Sequence, residues 1–217
     1  PDGQRIAYIV KEESGSHLWI RDLDSQSSRR LSDLDSANLP FWSPDGRWIA
    51  FFTQAAPARL WKIPAGGGEP VSLCTLAMGL GGSWGKGDVI VFAPTTSGPL
   101  HRVPASGGTP EPVTTLDASR RQTGHRMPWF LPDGDHFLFA ALPRRGMDVE
   151  TFAGSLRSRE VKRILAAASG ATYAEPGYLL FARDHRLVAQ PFNASRLELN
   201  GEPVPIAISW NEHPVFA

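Results

Sequence analysis

Gly81-Gly82-Ser83-Trp84-Gly85 matches G-x-S-x-G, the pattern that lifts a serine hydroxyl onto a strained strand-to-helix turn in acyl-transfer enzymes. That chemistry needs a helix after the serine. Here a glycine-rich turn and a short apolar run, Val89 to Phe92, follow instead, so Ser83 reads as the counterpart of Ser43 in a turn between strands. Gly85-Lys86 lacks the upstream glycine and the following Ser or Thr of a phosphate-binding loop. The six histidines, His17, His101, His125, His136, His185 and His213, show no HExxH pair or other ligand spacing, so neither a metal nor a cofactor is expected. His125 stands out because Thr123, Gly124 and Arg126 surround it. It has two readings: a packed, hydrogen-bonded imidazole, or a ligand contact made together with Arg126. Cys74 is the single cysteine, which excludes an internal disulfide framework, and it reads as a small buried hydrophobe.

The elements that must position these groups repeat along the chain. Pro1-Asp2-Gly3, Pro44-Asp45-Gly46, Gly85-Lys86-Gly87-Asp88, Pro132-Asp133-Gly134 and Glu175-Pro176-Gly177 each precede a short apolar run. Proline presets φ for such a turn, aspartate accepts backbone hydrogen bonds two residues on, and glycine supplies positive φ. The residues Pro44, Asp45, Gly46, Pro132, Asp133 and Gly134 are therefore expected to be structural. Trp42, Trp84, Trp129 and Tyr173 keep the same beat, at spacings of 42, 45 and 44, and are expected at one repeat position packing sheet on sheet. A third run, such as Arg59-Leu60-Trp61-Lys62-Ile63, alternates apolar and polar residues, and a fourth, such as Pro70 to Thr75 or Pro112 to Leu116, follows a glycine turn. The stretch from Arg159 to Ala168 has a weak helical pattern, but its place in the repeat predicts a strand. A turn-plus-strand period of about 40 to 50 residues marks a β-propeller, in which each repeat is a four-stranded blade.

The expected fold is thus all-β, a propeller of four-stranded blades with about five repeats. The units fall approximately at 1–36, 37–78, 79–122, 123–170 and 171–206, with 207–217 starting a further blade. Residues 1–217 then form one propeller domain or part of a larger propeller. Pairing of Ile208 to Ala217 with Arg5 to Val10 would close a five-bladed ring. The abrupt start inside a turn motif favours an open arc cut from a larger ring. In either case His125 and Arg126 would sit near the channel mouth.

Twenty-two Lys and Arg against 22 Asp and Glu leave no net charge, which argues against a nucleic-acid or anionic-membrane partner. No stretch approaches the roughly 18 apolar residues of a membrane span.

Ser43-Pro44-Asp45-Gly46-Arg47-Trp48-Ile49-Ala50-Phe51-Phe52 resembles the WD40-like PD40 repeat of TolB and of S9-family peptidase propellers. The stretches Leu100 to Gly108, Pro112 to Asp117, Thr123 to Gly134, Pro176 to Phe181, Leu187 to Phe192 and Leu197 to Pro205 together resemble the C-terminal propeller of bacterial eukaryotic-like serine/threonine protein kinases. This resemblance implies a non-catalytic sensor or protein-interaction module on the extracytoplasmic side of a membrane-anchored receptor kinase. A protein or small-ligand partner would bind at the propeller face. No kinase residue transfers: His125-Arg126 is followed by Met127 where a catalytic loop has aspartate. The alternatives are a gating propeller of an S9-type serine peptidase and a TolB-like periplasmic docking module.

Overall fold

The computed structural model describes residues 2–25, 27–144, 149–166, 169–184 and 186–208. Twenty short strands and a single 3₁₀ turn, Ala118–Arg120, account for the regular structure among them. The fold is an all-β propeller of five small antiparallel sheets laid out in chain order, as the repeat period predicts.

The first sheet comprises β1 (Arg5–Glu12), β2 (Gly15–Asp22) and β3 (Ser28–Arg30). The second comprises β4 (Ala37–Trp42), β5 (Trp48–Thr53), β6 (Arg59–Pro64) and β7 (Val71–Thr75), and the third β8 (Gly82–Trp84), β9 (Val89–Phe92), β10 (His101–Pro104) and β11 (Glu111–Pro112). The fourth sheet runs β12 (Gln122–Phe130), β13 (His136–Pro143), β14 (Glu150–Ser155) and β15 (Lys162–Leu165), so a strand replaces the weak helical pattern there. The fifth runs β16 (Thr172–Ala174), β17 (Tyr178–Arg183), β18 (Arg186–Asn193) and β19 (Glu198–Leu199). Strand β20 (Val204–Ile208) also pairs with β18, so two pieces share the outer edge and Ile208 lies opposite Arg186. The proposed ring-closing strand beyond Ile208 lies outside the described residues. Strand β11 is shorter than expected: after Pro112, Thr114 serves Leu100 with its hydroxyl instead of extending the ladder.

By contacts the chain falls into two compact units: one holds the chain up to Thr95 and Arg102–Glu111, the other Thr96–His101 and the chain from Pro112 onward. In the first, Phe41, Phe52, Leu60 and Leu73 of the second sheet pack against Trp84, Ile90, Phe92 and Val103 of the third. Rings of Phe41, Phe52 and Phe92 step across this junction at 5.9 and 6.3 Å. The other side of the second sheet, through Ile49, Phe51 and Ile63, packs on Leu18 and Ile20 of the first. In the second unit, Leu138 and Ala153 of the fourth sheet pack against Leu179, Phe181 and Val188 of the fifth. Because both faces of an inner sheet are covered, β5 is buried at every position after Trp48 instead of alternating.

Four turn motifs among the described residues close the same hydrogen-bonded loop. Gly46 N–H donates to Ser43 O, Asp88 to Gly85 O, Gly134 to Leu131 O and Gly177 to Ala174 O. Gly46 and Gly134 sit at φ 67° and 73°, as a type of turn closing on glycine demands. Asp45 accepts from Arg47 N–H at 3.0 Å, and Asp133 from Asp135 N–H at 3.0 Å. In the third sheet Asp88 itself takes the positive-φ position, at 54°, and its carboxylate accepts from the Trp84 indole at 3.4 Å.

Turn alignment corrects two expectations. Trp42, Trp84 and Tyr173 each stand just before the turn, but Trp129 stands one residue earlier and Phe130 takes the equivalent place. Adjacent strand residues face opposite ways, so Trp129 packs toward the fifth sheet while Tyr173 covers the same cluster from the other side. By the same alignment Ser83 corresponds to Phe41, and Gly85 to Ser43; Ser83 lies within β8, opposite Val91. A bulge recurs too: Leu39-Pro40 and Met127-Pro128 interrupt the first strands of their sheets, with Leu39 and Met127 at φ 45° and 51°.

Substituting Gly46 or Gly134 by Val is expected to cost more than about 1 kcal/mol in urea denaturation, since a branched side chain resists positive φ. Arg29 is no neutral control, because its guanidinium donates to Ala65 O at 2.9 Å. Exposed Glu69→Ala should stay within about 0.5 kcal/mol. A Cβ on buried Gly79 would overlap the Phe52 ring, so Gly79→Ala should cost about 1–3 kcal/mol by overpacking. Equal midpoints for all these variants would refute the assigned turns and packing.

Candidate functional site

In the second unit, His125 lies near the start of the long strand β12 and is 2% exposed. Gln122 Oε1 already accepts from Asp117 N–H at 2.8 Å, so its contact with His125 Nε2 at 3.0 Å requires a proton on Nε2. Nδ1 is then the acceptor, and Thr114 Oγ1 donates to it at 2.8 Å while accepting from Leu100 N–H at 2.9 Å. The ring also lies 4.6 Å from that of Phe139. Burial therefore holds a neutral imidazole with its pKa pushed down to about 4. Both nitrogens serve the fold, and the imidazole acts as a strut behind the surface.

Arg126 is the outward neighbour. Its guanidinium donates through Nη2 to Thr96 O at 2.7 Å, which ties the loop Thr96–Gly98 to β12. The same loop adds a parallel bridge between Gly98 and Gly124, with Gly98 N–H donating to Thr123 O and His125 N–H to Gly98 O. Gly124 permits this approach, since a Cβ there would lie 3.3 Å from Ser97 Cα. Sequence reasoning singled out His125 and Arg126 but missed Thr114, Gln122 and Gly98, whose roles come from register that no local motif encodes.

The remaining chemistry-bearing groups are scattered. His17 is buried; Arg30 donates to its Nδ1 at 2.8 Å, so Nε2–H points to Ser14 Oγ at 3.2 Å. His136 Nδ1 meets Asp133 Oδ2 at 2.6 Å inside the Pro132-Asp133-Gly134 turn. In the matching turn of the second sheet, the Ser43 hydroxyl and the Arg47 N–H hold the Asp45 carboxyl down to about 2. Burial lowers the His101 pKa and raises that of the Cys74 thiol to about 11, leaving a poor nucleophile. His185 and His213 lie outside the described residues. Ser83 is followed by the Gly85–Asp88 turn into β9, with no helix to form an elbow.

The first unit carries an open groove of about 800 Å³ along the turn ends of the second and third sheets. Pro44 and Asp45 of the turn motif line it, together with Arg47, Trp48, Lys62 and Lys86. The Lys62 ammonium sits 4.6 Å from the Trp48 ring centroid, a cation–π contact. Arg47 pairs with Asp45 at the rim. Sequence offered no signal for this groove, because its walls come from three separate turns.

No family model matches the sequence. An uncharacterized protein of Agrobacterium fabrum is 27% identical over 156 residues, which cover 64% of this chain and 52% of that protein. The crystal structure of TolB from Acinetobacter baumannii superposes with a TM-score of 0.75 at 13% identity, over 96% of this chain and 53% of that one. The acylaminoacyl peptidase of Pyrococcus horikoshii superposes with a TM-score of 0.63 at 17% identity, over 87% of this chain and 36% of that one. The chain thus spans about half the length of the curated relative and of TolB. At these identities the structural likeness establishes the propeller fold.

The lowered pKa of His125 has a consequence for stability. The unfolded imidazole takes up its proton near pH 6.5 and the folded one near 4, so stability is full above 6.5 and falls as pH drops toward 4. The loss is on the order of a few kcal/mol. Urea midpoints measured between these limits should fall more steeply for the natural chain than for His125→Gln; equal slopes would show that the imidazole is not buried neutral.

Proposed function

We propose that this chain is a non-catalytic propeller module that docks a protein or small-ligand partner on the ends of its blades. The observation that carries this reading is where the reactive side chains go. His125 and His17 are locked by hydrogen bonds at their ring nitrogens, Asp45 and Asp133 hold turns, and Cys74 is buried with a raised pKa. Their chemistry is used to build the scaffold, while the turn ends carry the groove that has an aromatic ring and cations on its walls.

The finer part of the proposal follows from the sequence resemblance. The module would lie on the extracytoplasmic side of a membrane-anchored serine/threonine kinase, and partner binding would bias the association of kinase domains. A second reading is favoured by the peptidase neighbours: the propeller of a prolyl endopeptidase relative, or of acylaminoacyl peptidase, would correspond to a gate on a hydrolase. A TolB-like docking role is supported in the same way by the Acinetobacter and Agrobacterium TolB structures. Among the described residues no helix is long and apolar enough to cross a membrane.

The purified chain should neither hydrolyse p-nitrophenyl acetate above a Ser83→Ala control nor transfer phosphate from ATP. Ester turnover abolished by Ser83→Ala would overturn the module reading. The reading frame around the chain separates the parents: a kinase domain before Pro1 supports the sensor, and a serine elbow after Ala217 supports the peptidase gate.

A further inference from the structure

We propose that the groove in the first unit takes an extended peptide segment of a partner protein that carries a carboxylate beside an apolar residue. This rests on the docking reading above and names the partner chemistry. A second hollow of about 420 Å³ lies at the same end of the third sheet and shares Val89 and Pro104 with the groove as a common wall. The groove is open and walled by three successive turn segments, 43–48, 84–89 and 104–106, which suits an extended chain better than a compact ligand.

The charges choose the partner. Arg47, Lys62, Lys86 and Arg102 line the two hollows, against Asp45, Asp88 and Glu111. Asp45 is held by Arg47, and Glu111 by Arg102 at 3.3 Å. Of the charged residues lining the groove, that leaves Lys62 and Lys86 against the Asp88 carboxylate, which already accepts from the Trp84 indole. An added carboxylate restores the balance. The half-buried Trp48 ring, Pro44 and Pro104 supply apolar wall for the residue beside it. A polyanion fits poorly, because four cations facing three carboxylates make too small an excess to neutralise a run of phosphates.

The test uses the full chain labelled with ¹⁵N and the peptide Ac-Leu-Glu-Pro-Glu-Leu-Glu-NH₂, with its all-glutamine counterpart as control. Titration should shift the Trp48 indole N–H and the amides of Gly85 and Gly87, with a dissociation constant on the order of 1 mM or tighter. The double variant Lys62→Glu, Lys86→Glu, its fold checked by the unchanged amide spectrum of the free chain, should weaken binding about tenfold or more, and added salt should weaken it for the natural chain. Equal binding of the glutamine peptide, or a Trp48 signal that does not move up to about 5 mM peptide, overturns the groove proposal. Shifts confined to other parts of the chain defeat the groove alone and leave the docking module standing. Ser83-dependent ester turnover defeats the module reading whatever the peptide does.

Discussion

A sheet of four short strands has two faces and too little length to bury either by itself. Every other feature of this chain answers that constraint by sheet-on-sheet burial of large apolar side chains. The second sheet shows it most fully. Phe41 and Phe52 reach one neighbour and Phe51 and Ile49 the other, so β5 has no wet face. Burying a side chain of this size is worth about 1.5–3 kcal/mol, more than a surface ion pair contributes. The exposed pairs, Arg102 with Glu111 for example, accordingly decide orientation at the rim and little else.

This packing explains where the polar residues can serve. A histidine drawn into such a layer must stay neutral and must find partners for both nitrogens, and His125 does so through a chain running from Leu100 N–H through Thr114 to Gln122 and Asp117. Burial of this kind removes an imidazole from acid–base chemistry near neutral pH. The turn ends carry the groove, where the half-buried Trp48 packs against the core of the second and third sheets and also lines the opening. Lys86 stands in the Gly85–Asp88 turn, while Trp48 and Lys62 reach the groove from β5 and β6.

Much of the fold was legible because each turn motif carries its own mechanism. Pro44-Asp45-Gly46 and Pro132-Asp133-Gly134 announce a strand-to-strand turn locally, and the aromatic beat before them announces packing. What the letters could not show is which neighbour an aromatic faces. Trp129 keeps the 42-to-45-residue spacing yet sits one place away from Trp84, because face is decided by register against β13 and not by distance along the chain. Ser83 stands two places before the counterpart of Ser43, an offset that the 42-residue spacing of Trp42 and Trp84 already carries in the sequence. Gly79 is a packing glycine beside Phe52, a role visible only once the chain is folded. The groove was invisible because residues from 43 to 48, 84 to 89 and 104 to 106 meet only in three dimensions.

The central claim is that neighbouring sheets within a unit hold each other, with Phe52 as the link between the second and third. Native-state hydrogen exchange on the natural chain and on Phe52→Ala tests it most directly. The account predicts that truncating Phe52 lowers protection in β9 of the third sheet together with β5 and β6 of its own. Loss confined to β5 and β6, with β9 as protected as before, would contradict it.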